Sequence, residues 1–255
     1  MEPKKQDNFP LISCLCVTEK RPKLLKRAID CFNKQTYENK QLVILCKDND
    51  LETSNFLKNI RLTNIKAVII PSHPEKKLGF IRNLAVKYAD GDYICQWDDD
   101  DWYHSNRIST QFQILKNEKK QGSVLTRMLL FDEVKNNTYI SHRRDYWEGS
   151  LMCEKTLFLE KEYDNINRGE DTPLVEYLYN SNKLVQIENA ANLYIYVYHE
   201  NNTWDYNHFE EIYNCSKELP EFSNIIKELL DNFYSNADSS ILFNKLWEAY
   251  IQYKI

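Results

Sequence analysis

Between Leu11 and Trp97 short apolar runs alternate with longer amphipathic ones, and this alternation restricts the fold more than any other feature of the chain. LISCLCV (11 to 17), QLVILC (41 to 46), KAVII (66 to 70) and DYICQW (92 to 97) have the length and composition of buried strands. RPKLLKRAIDCFNKQ places Leu24, Leu25, Ala28, Ile29 and Phe32 on one helical face, with Pro22 in the first turn, where its missing N–H does no harm. LGFIRNLAVKYA (78 to 89) does the same with Ile81, Leu84, Ala85 and Tyr88. Repeats of strand and helix predict an α/β fold, a mostly parallel Rossmann-like sheet with helices on both faces. Ligands of such sheets collect at the carboxyl ends of the strands.

The fourth strand ends in DYICQWDDDDWYH, residues 92 to 104, where Asp98, Asp99, Asp100 and Asp101 stand side by side. Carboxylates before a helix gain roughly 0.3–1 kcal/mol each from its dipole, and one or two would serve that purpose. Trp97 and Trp102 on either side point to partial enclosure, which makes unrelieved repulsion costlier. A hard divalent cation relieves it. The alternating acidic loop and distant glutamate of a calcium hand are missing, so Mn²⁺ or Mg²⁺, held by one or two carboxylates and completed by substrate phosphates, is the better match.

Downstream, residues 104 to 117 and 172 to 179 read as helices, and SVLTRMLLF (123 to 131), TYISHRR (138 to 144), KLVQIE and LYIYVYH as strands. Past Thr203 the pattern turns helical through FEEIYNCSKEL, FSNIIKELLDNFY and SILFNKLWEAYIQY. This organisation predicts one domain over 1–202 and a helical extension over 203–255 that packs on it. Docking of the extension on a membrane surface is the alternative, weakened by the Glu and Asp mixed with its lysines. The net charge of −5 argues against nucleic acid, whose phosphates call for a Lys/Arg excess. Seven cysteines lie scattered with no C-x-x-C pair, which predicts buried free thiols and a reducing, cytoplasmic setting. MEPKKQDNFP has no apolar core of a signal peptide.

Thr18-Glu19-Lys20-Arg21-Pro22, then Leu78-Gly79-Phe80-Ile81-Arg82-Asn83, then Gly91 through Asp101, followed by EGSLMCEKTLF and RGEDTPL, resemble in order and spacing a family-2 glycosyltransferase of GT-A fold over residues 10 to 200. The resemblance implies a nucleotide-diphosphate sugar donor, UDP-linked, a divalent metal, and inverting transfer to a hydroxyl of a glycan or lipid-linked acceptor in surface polysaccharide synthesis. It implies that Asp98 contacts the nucleotide, that Asp100 ligates the metal with Asp101 in support, and that Asp99 takes the variable position. Thr18 and Glu19 would line the base pocket and Arg82 would reach the nucleotide or its phosphates. Where the family carries an acidic pair after the second strand, this chain has Cys46-Lys47, with Asp48 as the candidate substitute.

The same resemblance assigns the general base to Asp171 of the Glu170-Asp171 pair. Read from the residues alone, Asp171 also has the signature of a helix N-cap before Thr172-Pro173. His199 is implied as a further metal ligand, with a hydrogen-bonded loop histidine as the alternative, and His104 reads as a loop hydrogen-bonder. Trp102, Trp147 and Trp204 are candidates to stack on sugars or to fill the core. A sugar nucleotidyltransferase and a non-catalytic module of the same fold are the competing readings. The former normally has a glycine-rich first loop, which ISCLCVTEKRP lacks.

Overall fold

The computed structural model describes residues 9–231 and residue 248. The first half runs β1 (Ile12–Val17), α1 (Pro22–Asn33), β2 (Lys40–Lys47), α2 (Leu51–Lys58), β3 (Ile65–Ile70), α3 (Leu78–Tyr88), β4 (Tyr93–Gln96) and β5 (Trp102–Tyr103). It continues with α4 (Arg107–Asn117), β6 (Gly122–Leu125), β7 (Leu129–Asp132), β8 (Asn137–Ile140) and β9 (Met152–Glu154). Then follow α5 (Thr172–Asn180), β10 (Leu184–Ile187), β11 (Tyr194–Tyr198), α6 (Tyr206–Asn214), β12 (Lys217–Glu218) and α7 (Ser223–Leu230). The helix expected in SILFNKLWEAYIQY lies outside the described residues, Glu248 excepted.

A seven-stranded sheet has the order β10-β6-β9-β4-β1-β2-β3. β1 lies between β2 and β4 and is parallel to both, β3 is parallel to β2, and β9 runs antiparallel between β4 and β6. Successive side chains of a strand face opposite ways, so β2 sends Leu42, Ile44 and Cys46 to the same core as Leu25, Ala28 and Phe32 of α1. Its Val43 and Leu45 join Ile81 and Ala85 of α3 on the other face. Both faces are covered, which is why the strand reads as an unbroken apolar run rather than an alternating one. Each such side chain contributes roughly 1.5–3 kcal/mol when fully buried.

The second half departs from the sequence reading. SVLTRMLLF is two strands: β6 ends at Leu125 in the large sheet, and β7 starts at Leu129 in a second, five-stranded sheet ordered β12-β8-β7-β11-β5. The turn between them is held by hydrogen bonds, from Arg144 N to Thr126 O and from Met128 N to Ser141 Oγ. SKEL, expected to be helical, places Lys217 and Glu218 in β12 beside β8. Phe209, Ile212, Leu219, Ile226 and Leu229 are buried in the same cluster as β1 and α1. Three further elements were not foreseen, β5, β9 and α2, the last capped by the Asp50 carboxylate accepting from Thr53 N. All seven cysteines are free thiols; six are buried as expected, and Cys215 is exposed.

Candidate active site

The carboxyl ends of β1 and β4 deliver Thr18 and the aspartates to one rim of the large sheet, and what surrounds them determines how they behave. α1 clamps the loop: Arg27 donates to Asp100 O at 2.5 Å, and Trp97 Nε1 donates to Ala28 O at 3.1 Å. Arg21, immediately before α1, leaves its own helix uncapped and reaches the aspartates instead. Its guanidinium lies 2.9 Å from Asp99 Oδ1 and 2.6 Å from Asp100 Oδ2. Arg82, on α3, lies 2.7 Å from Asp98 Oδ1, 3.1 Å from Glu170 Oε1 and 3.5 Å from Asp171 Oδ2. Two guanidiniums therefore supply part of the positive charge that the sequence alone had required of a cation.

The four carboxylates are unequal. Burial resists ionisation of Asp100, yet the hydrogen bond to His199 Nε2 at 3.2 Å and the charge of Arg21 hold its carboxyl down at about 2. Burial and the neighbouring Asp100 charge push Asp99 up to about 7. Asp98 is raised by burial, against the pull of Arg82. Asp101 is fully buried, accepts from Tyr194 Oη at 2.5 Å and from Val197 N at 3.0 Å, and does not reach the cavity. It ties the loop to β11, the strand that carries His199 past its end.

Asp98, Asp99 and Asp100 line a cavity of about 360 Å³ together with Arg21, Arg82, Gln96, Arg144, Trp147, Glu148, Glu170, Asp171, Tyr196 and Trp204. Asp171 occupies the N-cap position of α5, but its side chain makes no cap bond. It turns to the cavity and accepts from Gln96 Nε2 at 3.1 Å, while Tyr163 Oη holds the other end of Gln96 at 3.3 Å. Burial raises Glu170 to about 7 despite Arg82. Glycine shapes this wall twice. A Cβ on Gly79 would stand 1.8 Å from Asp164 O, and Gly169, with φ of +67°, makes the turn into Glu170.

A second cavity of about 380 Å³ adjoins the first, lined by Val17, Thr18, Glu19, Leu45, Cys46, Lys47, Asn167 and Arg168 among others. Lys47 Nζ bridges to Glu19 at 2.9 Å. Asp48 does not line it: its Oδ1 accepts from Ser72 N at 2.8 Å, beyond β3. His104 Nδ1 accepts from Asn106 N at 3.1 Å, a loop bond as expected. Trp102 and Trp147 are both buried in the core cluster, and Trp147 also borders the main cavity, as does the half-buried Trp204.

Asp100 and His199 converge with ligand chemistry suited to Mn²⁺ or Mg²⁺. Asp99 Oδ2 is buried without a hydrogen-bond partner among the described residues. No group of three or more His, Cys, Asp or Glu among the described residues forms a self-sufficient metal cage. The residues fit a cation held by one carboxylate and one imidazole and completed by ligand oxygens, provided Arg21 yields Asp100 Oδ2. The sequence reading missed Arg21 and Gln96 as site residues. Arg21 stood inside a quoted motif with no role attached, and Gln96 carries no local signal, because its partner is Asp171, far along the chain.

The model of the family described as Glycosyl transferase family 2 matches residues 13–177. Protein CgeD of Bacillus subtilis is 22% identical over 89% of this chain and 51% of its own length. The UDP-Glc:alpha-D-GlcNAc-diphosphoundecaprenol beta-1,3-glucosyltransferase WfgD of Escherichia coli is 28% identical over 41% of each chain. The chain thus spans about half, or less, of the length of these curated relatives. Among solved structures, S. aureus TarS 1-349 in complex with UDP-GlcNAc superposes with a TM-score of 0.61 at 14% identity, covering 75% of this chain and 60% of that one. That likeness shows a shared GT-A fold. Spanning both the aspartate loop and Glu170-Asp171, the family match establishes that this chain belongs to glycosyl transferase family 2.

Proposed function

We propose that the chain transfers a sugar, with inversion, from a UDP-sugar to a hydroxyl of a glycan or lipid-linked acceptor in surface polysaccharide synthesis, with Mn²⁺ or Mg²⁺ as cofactor. The observation that carries this reading is the side chain of Asp171, turned from its cap position into the cavity that Asp98 and Asp100 also line. Two similar proteins support the donor, one named a UDP-Glc transferase and one solved with UDP-GlcNAc. The same E. coli relative, named for a diphosphoundecaprenol acceptor, supports a lipid-linked one. A lipid-linked acceptor would bring the protein to the inner face of a membrane as a peripheral enzyme. No helix among the described residues is long and apolar enough to cross one.

The uracil ring would enter the cavity beside Thr18 and Glu19. Asp98, held by Arg82, would accept from the ribose hydroxyls. Asp100 and His199 would hold the cation against the diphosphate, where a Lewis acid stabilises charge developing on the departing oxygen. The acceptor oxygen would attack the anomeric carbon as the bond to the diphosphate oxygen breaks, and its proton would pass to Asp171. Gln96 and Arg82 fix that carboxylate by its Oδ2, so that it cannot swing back to cap α5. Asp48 reaches the base only if it leaves Ser72 N. Release of free UDP, measured with donor alone, acceptor alone and both, tests the reading. Release that needs both supports transfer. Release unaffected by acceptor contradicts it.

A further inference from the structure

Arginines collect where the cavity opens past the ends of β7 and β8. Met128 and Ser141 are bonded to each other through Ser141 N to Met128 O and Met128 N to Ser141 Oγ. Their neighbours Arg127 and His142 therefore stand side by side, and Arg143 and Arg144 follow directly. Like charges held this close repel, and the effect is visible: Arg127 and His142 are both lowered from their ordinary values, first by burial and then by the arginines around them. Carboxylates offset part of this charge: Arg143 pairs with Glu188 Oε1 at 2.9 Å and Asp145 Oδ1 at 3.8 Å, and Glu188 also acts on Arg127.

Arg144 is different. It is half-buried, lines the main cavity, and stacks its guanidinium 4.7 Å from the ring centre of Trp147. It forms no ion pair with any described residue. Its charge acts on Glu148, whose Oε1 accepts from Thr172 Oγ1 at 3.3 Å. Along the cavity wall, contacts run from Asp98 to Arg82 to Asp171, then through Thr172 to Glu148, with Arg144 beyond. Arg144 and Asp171 thus line one cavity, with Thr172 and Glu148 between them. A group lying against Arg144 is on the same wall as the candidate base.

We propose that the acceptor carries an anionic oxyacid group, a phosphate or a carboxylate, which docks on Arg144, held in place by the buried ring of Trp147. This rests on the glycosyl-transfer reading above, since it takes Asp171 to mark the acceptor side. A guanidinium offers paired N–H donors to such a group. Arg127 and Arg143 add long-range attraction without touching the ligand. Arg144 is then a specificity-determining residue: it discriminates acceptors and takes no part in bond making.

The test uses the whole chain saturated with UDP and Mg²⁺, titrated with methyl glucoside, the methyl glycoside of glucuronic acid, and glucose 1-phosphate, followed by ligand-observed NMR. One or both anionic probes should bind about tenfold more tightly than the neutral one, the scale of a single charge-assisted hydrogen bond. The stronger of the two identifies the group. Arg144→Ala should erase that preference and Arg144→Lys keep part of it, with UDP affinity unchanged in both. Equal binding of the three probes, a preference that survives Arg144→Ala, or anion binding that UDP abolishes would each overturn the proposal. Failure of UDP itself to bind would instead strike at the glycosyl-transfer reading, and the same titration shows it.

Discussion

A single side chain separates a helix cap from a candidate base. Asp171 stands where an N-cap belongs, yet its carboxylate is bonded to Gln96 and Arg82 rather than to the amides of α5. Asp171→Asn keeps the shape and removes the proton acceptor. Transfer should fall about 10²- to 10⁴-fold, the usual worth of a positioned base, while UDP affinity measured by calorimetry stays within twofold. Arg21 acts on the ground state instead. Arg21→Met leaves Asp99 and Asp100 without their counter-ion, and at the modest exposure of this pair the loss should be about 3 kcal/mol in urea unfolding. Added Mn²⁺ should recover part of that loss, because a cation can replace the guanidinium.

Glu170 gives a pH dependence with a definite sign. Burial raises its carboxyl from the ordinary 4.5 to about 7 in the folded protein. A raised acid binds its proton more tightly when folded, so its stabilising contribution is complete below about 4.5 and is lost as the pH climbs toward about 7. The effect is on the order of 3 kcal/mol at most. Asp99, also raised to about 7, shares the window, so the comparison must be with Glu170→Gln. Between pH 4.5 and 7 the variant's unfolding free energy should decline less steeply than the wild type's. Parallel curves would show that Glu170 titrates normally.

At the level of elements, α1 and α3 converge on the aspartate loop from the two faces of the sheet, α1 with Arg27 and its cap residue Arg21, α3 with Arg82. The position of α3 depends on contact without side chains: a Cβ at Gly79 would lie 1.8 Å from Asp164 O and 3.0 Å from Glu170 Cβ. Gly79→Ala must push back the segment that carries Glu170 and Asp171. It should cost about 1–3 kcal/mol, as overpacking does, and weaken transfer more than nucleotide binding. Thermal unfolding and calorimetry on one preparation separate the two effects.

The parallel core was legible because its strands read as short apolar runs and α1 and α3 show clear stripes; α2 buries Thr53, Ser54 and Leu57, shows no such stripe, and was missed. The second sheet was not. β5 is only Trp102 and Tyr103, directly after the aspartates, and β12 is Lys217 and Glu218 inside a helical pattern. The break between Leu125 and Leu129 contains no glycine or proline, and the hydrogen bonds that impose it come from Ser141 and Arg144, on a different strand segment. The site divides similarly. Asp98 and Asp100 announced themselves by adjacency, and Asp171 by its place beside Glu170. The burial that makes Asp101 an anchor to Tyr194 and Val197 exists only once β11 is in place.

For the whole molecule, the large sheet supplies a rim where nucleotide and cation can be held, and the second sheet closes the far side of the cavity with Tyr194, Tyr196 and the loop of His199. The central claim is that Asp98 and Asp100 hold a nucleotide diphosphate and its metal in that cavity. Calorimetric titration of UDP into the whole protein, with and without Mn²⁺, tests this most directly when repeated on Asp98→Asn and Asp100→Asn. UDP should bind the wild type, tighten at least tenfold with Mn²⁺, and lose that metal dependence in Asp100→Asn while weakening in Asp98→Asn with or without metal. UDP binding that is indifferent to Mn²⁺ and to both substitutions would contradict the account.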